Sequence, residues 1–259
     1  MHGLLGNSRN FQGWGGKLAK MLDRKRRIFA VDMRNHGLSD HEEDMSYGAM
    51  ADDVMGFMAD QGLSRAVLVG HSMGGKAAAM AALLHPHAVE GLVVMDIAPA
   101  SYSMVDSTNW GETQRIIAAV DDMSLEGIGS RRDAEERLAK DIVDPALRAF
   151  AVTNLEKDAS TGGWAWRVNV GSIRRSMGTL AQFHAGPAGL DGRSYEGDAL
   201  FMAGGNSRYV RSQHLGEIKR LFPRFTLQTI RGAGHWVHAD DPTQTLEVMK
   251  LFLDRDELP

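Results

Sequence analysis

The sequence predicts an α/β protein, a mostly parallel β-sheet flanked by helices, with a helical segment inserted into it. Three observations carry this. Nearly continuous apolar runs end in turn residues, as strands covered on both faces do. Stretches of helical period separate the runs, and such alternation implies a parallel sheet with right-handed crossovers. From about Ser101 to Leu190 the alternation stops and amphipathic helices take over.

The elements follow in order. Ile28–Val31 reads as a strand running into Asp32–Gly37. Tyr47–Asp60 reads as a helix with Met50, Val54, Phe57 and Met58 on one stripe. Ala66–Val69 is the next strand and ends at Gly70. An alanine-rich helix follows from Lys76 to Leu84, stopped by His85-Pro86. Leu92–Met95 runs into Asp96. The insertion holds helices around Glu112–Val120, Arg131–Ile142 and Pro145–Leu155, then the tryptophan-rich piece Gly163–Val168. Gly186-Pro187-Ala188-Gly189 marks the return to the sheet. Ala199–Ala203 is a strand ending at Gly204-Gly205. Phe225–Ile230 alternates more, as an edge strand would, and leads to Gly232-Ala233-Gly234-His235. Thr243–Leu253 closes the chain as a helix. The expected organisation is a core of residues 1–100 and 190–259, with a helical cap over 101–189.

Bulk properties narrow the function classes. A length of 259 residues with 43% hydrophobic composition suits one large domain with an insertion. The net charge is −4 and no basic stripe is present, so no nucleic-acid partner is indicated. The run Arg24–Arg27 reads as a solvated helix-to-strand corner. The absence of cysteine removes disulfides, thiolate metal sites and a cysteine nucleophile. No apolar run approaches the ~18 residues of a membrane span, and Met1-His2-Gly3 opens no signal pattern. The expected localisation is cytoplasmic. The pairs His235/His238 and His85/His87 lack carboxylate partners at ligand spacing, so neither a metal nor a cofactor is expected.

The chemistry concentrates at strand ends. Gly70-His71-Ser72-Met73-Gly74 fits G-x-S-x-G between a strand and a helix, the context a nucleophile elbow requires. Small residues around the turn let Ser72 stand at the top of the sheet. The same stretch nearly matches a phosphate loop, Gly70-x4-Gly75-Lys76, which would make the chain a nucleotide hydrolase. That reading fails at Ala77, where a hydroxyl should ligate Mg²⁺. A serine needs a base, and His235 follows the last strand on a glycine-rich loop. The acid that orients such a base often follows the strand that here ends at Gly204, but Gly204-Gly205-Asn206-Ser207 carries no carboxylate. Asp96, at the preceding strand end, is the candidate, with Ser207 as possible network support. Asp240 and Asp241 read as caps of the last helix. For the developing oxyanion, the donors expected are the amides of Met73 and of Leu4 in His2-Gly3-Leu4-Leu5-Gly6. Trp110, Trp164 and Trp166 read either as walls of an acyl pocket or as cap core.

Val31 to Ser39, Gly70 to Lys76, Met95 to Pro99, Gly204 to Ser207 and Gly234 to Ala239 together resemble bacterial esterases of the YbfF type and related abhydrolase-domain proteins. The resemblance spans nearly the whole chain and implies the α/β-hydrolase fold with a helical cap. It implies a carboxylic-ester hydrolase acting on short to medium acyl esters of small molecules, with no cofactor. It also implies an acid at Asp96 and a serine at Ser207. Acyl-CoA thioester hydrolysis, haloperoxidase or C–C hydrolase chemistry on the same residues, and a non-catalytic binding role, are the alternatives. Oligomeric state is not in the sequence. One departure stands out. In that family a strand ends just before the His-Gly of the oxyanion loop, whereas here Met1 abuts His2. N-terminal strands are therefore expected to be missing, and the chain to start upstream or to be a truncated product. Thermal unfolding beside a chain extended upstream would test this; equal midpoints would remove the expectation.

Overall fold

A computed structural model describes residues 1–102, 110–184 and 189–255. In chain order these form α1 (Arg9–Met21), α2 (Tyr47–Asp60), β1 (Ala66–His71), α3 (Met73–Leu84) and β2 (Val89–Met95). Then come α4 (Trp110–Asp122), α5 (Arg131–Leu138), α6 (Pro145–Val152), β3 (Leu155–Lys157), β4 (Trp164–Trp166), α7 (Val170–Arg175) and α8 (Met177–Ala181). The chain returns through β5 (Ala199–Gly204), α9 (Leu215–Leu221), β6 (Phe225–Ile230), α10 (Val237–Asp240) and α11 (Pro242–Leu253).

The main sheet is four-stranded and wholly parallel, in the order β1-β2-β5-β6. Its alternating side chains separate two apolar layers. Val93, Met95, Leu200 and Met202 pack with Leu18 of α1 and with Leu246, Met249 and Phe252 of α11. Leu92, Val94, Ala199 and Phe201 face the other way, toward α2, α3 and the helical insertion. Central β2 has residues on both layers at 0–1% exposure from Leu92 to Met95. Each such side chain contributes roughly 1.5–3 kcal/mol by leaving water. That explains why its run is apolar without alternation.

Several of the expected boundaries shift. The helix after the elbow begins at Met73, directly behind Ser72, rather than after Gly75. Two glycines in its first turn weaken the propensity signal, but the tight turn fixes the start. In the insertion, α5 stops at Leu138 and α6 at Val152; Leu155 then opens the antiparallel β3–β4 pair, whose three-residue strands give no readable period. Trp164 and Trp166 belong to that hairpin. Of the return segment, 186–188 lie outside the described residues.

The strand expected at Ile28–Val31 does not form; these residues are irregular, and Ile28 and Phe29 are 42% and 40% exposed. An apolar run becomes a strand only where a neighbouring ladder takes its amides and carbonyls. Among the described residues, β1 is met on that side by Met1, whose ammonium donates to Val69 O at 2.9 Å and whose carbonyl accepts from His71 N at 3.0 Å. Beyond Met1, a cavity of about 910 Å³ separates Phe29 and Val31 from Ala66 and Leu68. Among the described residues no helix is long and apolar enough to cross a membrane.

Candidate active site

The elbow is built by close backbone approach. A Cβ on Gly70 would lie 2.1 Å from Gly74 O, and one on Gly74 would lie 2.5 Å from His2 O. Glycine is therefore required at both places. Ser72 itself sits at φ 53°, ψ −120°, a strained setting for an L-residue that aims its hydroxyl away from the sheet.

Three strand ends converge on that hydroxyl. His235 Nε2 is 3.0 Å from Ser72 Oγ, and His235 Nδ1 is 2.8 Å from Asp96 Oδ2. Asp96, immediately after β2, is fully buried and also at positive φ (50°). Its carboxylate is well supplied with donors. Gly204 N donates to Oδ1 at 2.9 Å, and Ser207 Oγ donates to Oδ2 at 2.5 Å. A Cβ on Gly204 would meet Gly234 O at 2.1 Å, so the turn after β5 and the loop carrying His235 are in direct contact. The sequence-derived set Ser72, His235, Asp96 and Ser207 is thus brought together in one hydrogen-bonded chain. Asp240 and Asp241 serve the backbone, accepting from Gly234 N and Gln244 N.

The candidate oxyanion donors flank the same place. Met73 is the first residue of α3, where an amide has no carbonyl one turn back to bond. Leu4 lies in a loop pressed on the elbow: Gly74 N donates to His2 O, and a Cβ on Gly3 would touch Ser72 Cβ at 3.0 Å. Leu4 and Ser72 line one cavity of about 750 Å³ with Thr113, Ile116, Leu147, Phe150 and Trp236. Trp110 also lines it, whereas Trp164 and Trp166 do not.

Several residues around the site had no role legible from spacing. His2 and His36 hold the Leu4 loop: His2 Nε2 accepts from Met33 N, and His36 Nε2 accepts from Leu5 N. Their other ring nitrogens meet Gly3 O and Arg34 O, so each is a neutral Nδ1–H tautomer. Burial pulls the pKa of His2 down to about 3 and that of His36 to about 4. His71 Nε2 donates to the carbonyl of His235 at 2.8 Å, tying the His235 loop to the end of β1. Tyr209 lies against the His235 ring, centroids 4.2 Å apart. His36 and His71 lie inside Val31 to Ser39 and Gly70 to Lys76, stretches that marked the family resemblance, and His2 opens the His2–Gly6 loop; Tyr209 carried no signal.

A serine on a strand–turn–helix elbow, facing a histidine from the loop after the last strand, is the arrangement of an α/β hydrolase. Residues 1–242 match the α/β-hydrolase fold family, and the chain belongs to it. It is 38% identical to the mouse sn-1-specific diacylglycerol lipase ABHD11, over 98% of this chain and 79% of that protein. It is 32% identical to the esterase YbfF of Escherichia coli K12, over 98% of this chain and 91% of that one. Among solved structures, a marine microorganism esterase superposes with a TM-score of 0.90 at 34% identity, covering 98% of this chain and 93% of that one. The chain is an enzyme of the esterase/lipase kind.

Proposed function

We propose that this enzyme hydrolyses carboxylic esters of short to medium acyl chain by two-step acyl transfer. Ser72 attacks the ester carbonyl while His235 Nε2 takes its proton. Asp96 holds the imidazole by its Nδ1–H and balances the imidazolium charge. The amides of Leu4 and Met73 receive the oxyanion. His235 returns the proton to the leaving alcohol, then activates water to release the acid from Ser72. Residues 101–189 act as a cap, supplying Ile116, Leu147 and Phe150 as an apolar wall for the acyl chain. A volume of about 750 Å³ falls in the usual range for a small-molecule site.

The observation that carries this reading is the unbroken chain from Ser72 Oγ through His235 to Asp96, at 3.0 and 2.8 Å. The test is hydrolysis of p-nitrophenyl acetate, butyrate and octanoate, beside Ser72→Ala. Activity in the wild type that falls at least ~10³-fold in the variant is the expected result. Equal rates would remove Ser72 from the mechanism. Diacylglycerol belongs in the same panel, since that is the substrate named for the mouse relative.

Ser207→Ala addresses the network beneath. It removes one charge-assisted hydrogen bond of roughly 1.5–3 kcal/mol from Asp96. Because Gly204 N still holds the other oxygen, the expected cost is partial, a roughly tenfold fall in kcat for p-nitrophenyl butyrate. An unchanged kcat would show that Gly204 and His235 alone position the carboxylate.

A further inference from the structure

Lys76 made the elbow resemble a phosphate loop, yet its side chain does not face Ser72's cavity. It is 1% exposed and points into the joint between α3 and the helical insertion. Its Nζ donates to Leu180 O at 3.4 Å, Ala181 O at 3.1 Å and Gln182 O at 3.1 Å, the carbonyls at the end of α8. Three aromatic rings surround it: Tyr102 at 4.8 Å, Tyr47 at 5.3 Å and Trp110 at 5.9 Å from Nζ to centroid. Among the described residues no carboxylate pairs with it.

Burying an ammonium without a counter-charge is costly, and burial does pull this lysine's pKa well below its ordinary value. The surroundings oppose that pull. Three carbonyls match the three donors of an ammonium, and ring faces attract a cation. Such a cage gains nothing for the sheet, whose strands are covered by α2, α3, α1 and α11 without it. What it joins is different. The Lys76 amide donates to Ser72 O at 3.0 Å, so its backbone closes the turn that carries the nucleophile. Its side chain holds the end of α8 and touches Trp110, the first residue of α4 and a wall of the cavity. Tyr102 extends the joint: its hydroxyl accepts from Ala98 N and donates to the carbonyl of Tyr209, whose ring lies on His235.

We propose that Lys76 is a positioning residue, a buried cation that fixes the helical cap in register over Ser72 and so sets which acyl lengths the cavity accepts. This rests on the reading of Ser72 as nucleophile. An acetyl group ends close to Ser72, whereas an octanoyl chain must lie along Ile116, Leu147 and Phe150. Shifting α4 and α8 therefore penalises the longer chain more.

The experiment compares wild type, Lys76→Met and Tyr47→Phe as full chains. Tyr47 donates to the same Leu180 carbonyl at 2.9 Å, and its loss is a mild change that preserves the ring. Each protein is first titrated with a fluorophosphonate that labels the active serine. The ratio of kcat/KM for p-nitrophenyl octanoate to that for the acetate is then measured. Loss of folded protein cancels in this ratio, so a merely structural role does not move it. The expected result is a fall of at least threefold in Lys76→Met, arising in KM for octanoate, and of at least twofold in Tyr47→Phe. Smaller falls, or a rise, in labelled protein overturn the proposal while leaving the nucleophile assignment standing. If Lys76→Met does not fold, Tyr47→Phe decides by the same threshold. A wild type that takes no label overturns the nucleophile reading and this proposal with it.

Discussion

Asp96→Asn is expected to lower kcat for p-nitrophenyl butyrate by about 10⁴-fold while the protein stays folded. The reason is a reversal of one hydrogen bond. Asp96 Oδ2 now accepts from both His235 Nδ1 and Ser207 Oγ, and Oδ1 accepts from Gly204 N. In the amide, the Gly204 bond keeps oxygen at the Oδ1 position and turns the NH₂ toward His235. An NH₂ cannot accept, so the imidazole changes tautomer, with Nδ1 accepting and Nε2 carrying the hydrogen. Nε2–H then faces Ser72 Oγ at 3.0 Å as a donor and can no longer take its proton. The fold should survive, because asparagine fits the cavity and tolerates the positive φ of 50° at this position. The checks are kcat against the wild type and an unchanged circular-dichroism spectrum. A fall of less than tenfold would place the orienting acid elsewhere.

How far the sequence reached depends on what each signal measures. Strands β1, β2 and β5 were readable as nearly continuous apolar runs and β6 as an alternating edge run, and Ser72, Asp96, Ser207 and His235 each follow one of them. Ile28–Val31 has the same composition yet no strand, because periodicity reports fitness for burial and not the presence of a pairing neighbour. The hairpin at Leu155–Trp166 is too short to show a period. Asp96 was found by elimination along strand ends, which works because the sheet brings those ends together. Tyr209, His71 and His2 were out of reach for a different reason. Their roles follow from side-chain direction between segments far apart in sequence, such as His71 on His235, and nothing local encodes it. Lys76 was visible but its setting was not: a phosphate loop shares its spacing with an elbow, Ala77 already separated the two, and the direction of the Lys76 side chain follows from packing against α8, which nothing local encodes.

The second large effect is acid instability, and its sign follows from buried histidines around the Leu4 loop and the last helices. His2, His36 and His238 are buried, with pKa values pulled by burial to about 3, about 4 and about 4 from an ordinary 6.5. Protonation would strip His2 and His36 of the acceptor nitrogens that hold Met33 N and Leu5 N. It would also place a charge on His238, which is stacked on Phe11 with centroids 4.4 Å apart and whose Nδ1 has no partner among the described residues. The unfolded chain therefore binds these protons at higher pH than the folded one. The stability they contribute is fully present above pH 6.5 and is lost as pH falls through 6.5 toward 4 and 3. At pH 4.5 each costs roughly 2–3 kcal/mol, at about 1.4 kcal/mol per pH unit. Three together approach roughly 8 kcal/mol, comparable with the whole stability of an ordinary domain. Urea midpoints are expected to fall steeply between pH 6 and pH 4.5. His238→Phe keeps the stack and removes one titrating group, so its stability should decline more gently, by about 1.4 kcal/mol less per pH unit. Parallel curves for the two proteins would mean that His238 titrates alike in the folded and unfolded chain, and that the acid sensitivity lies in the other buried histidines, His2, His36 and His71.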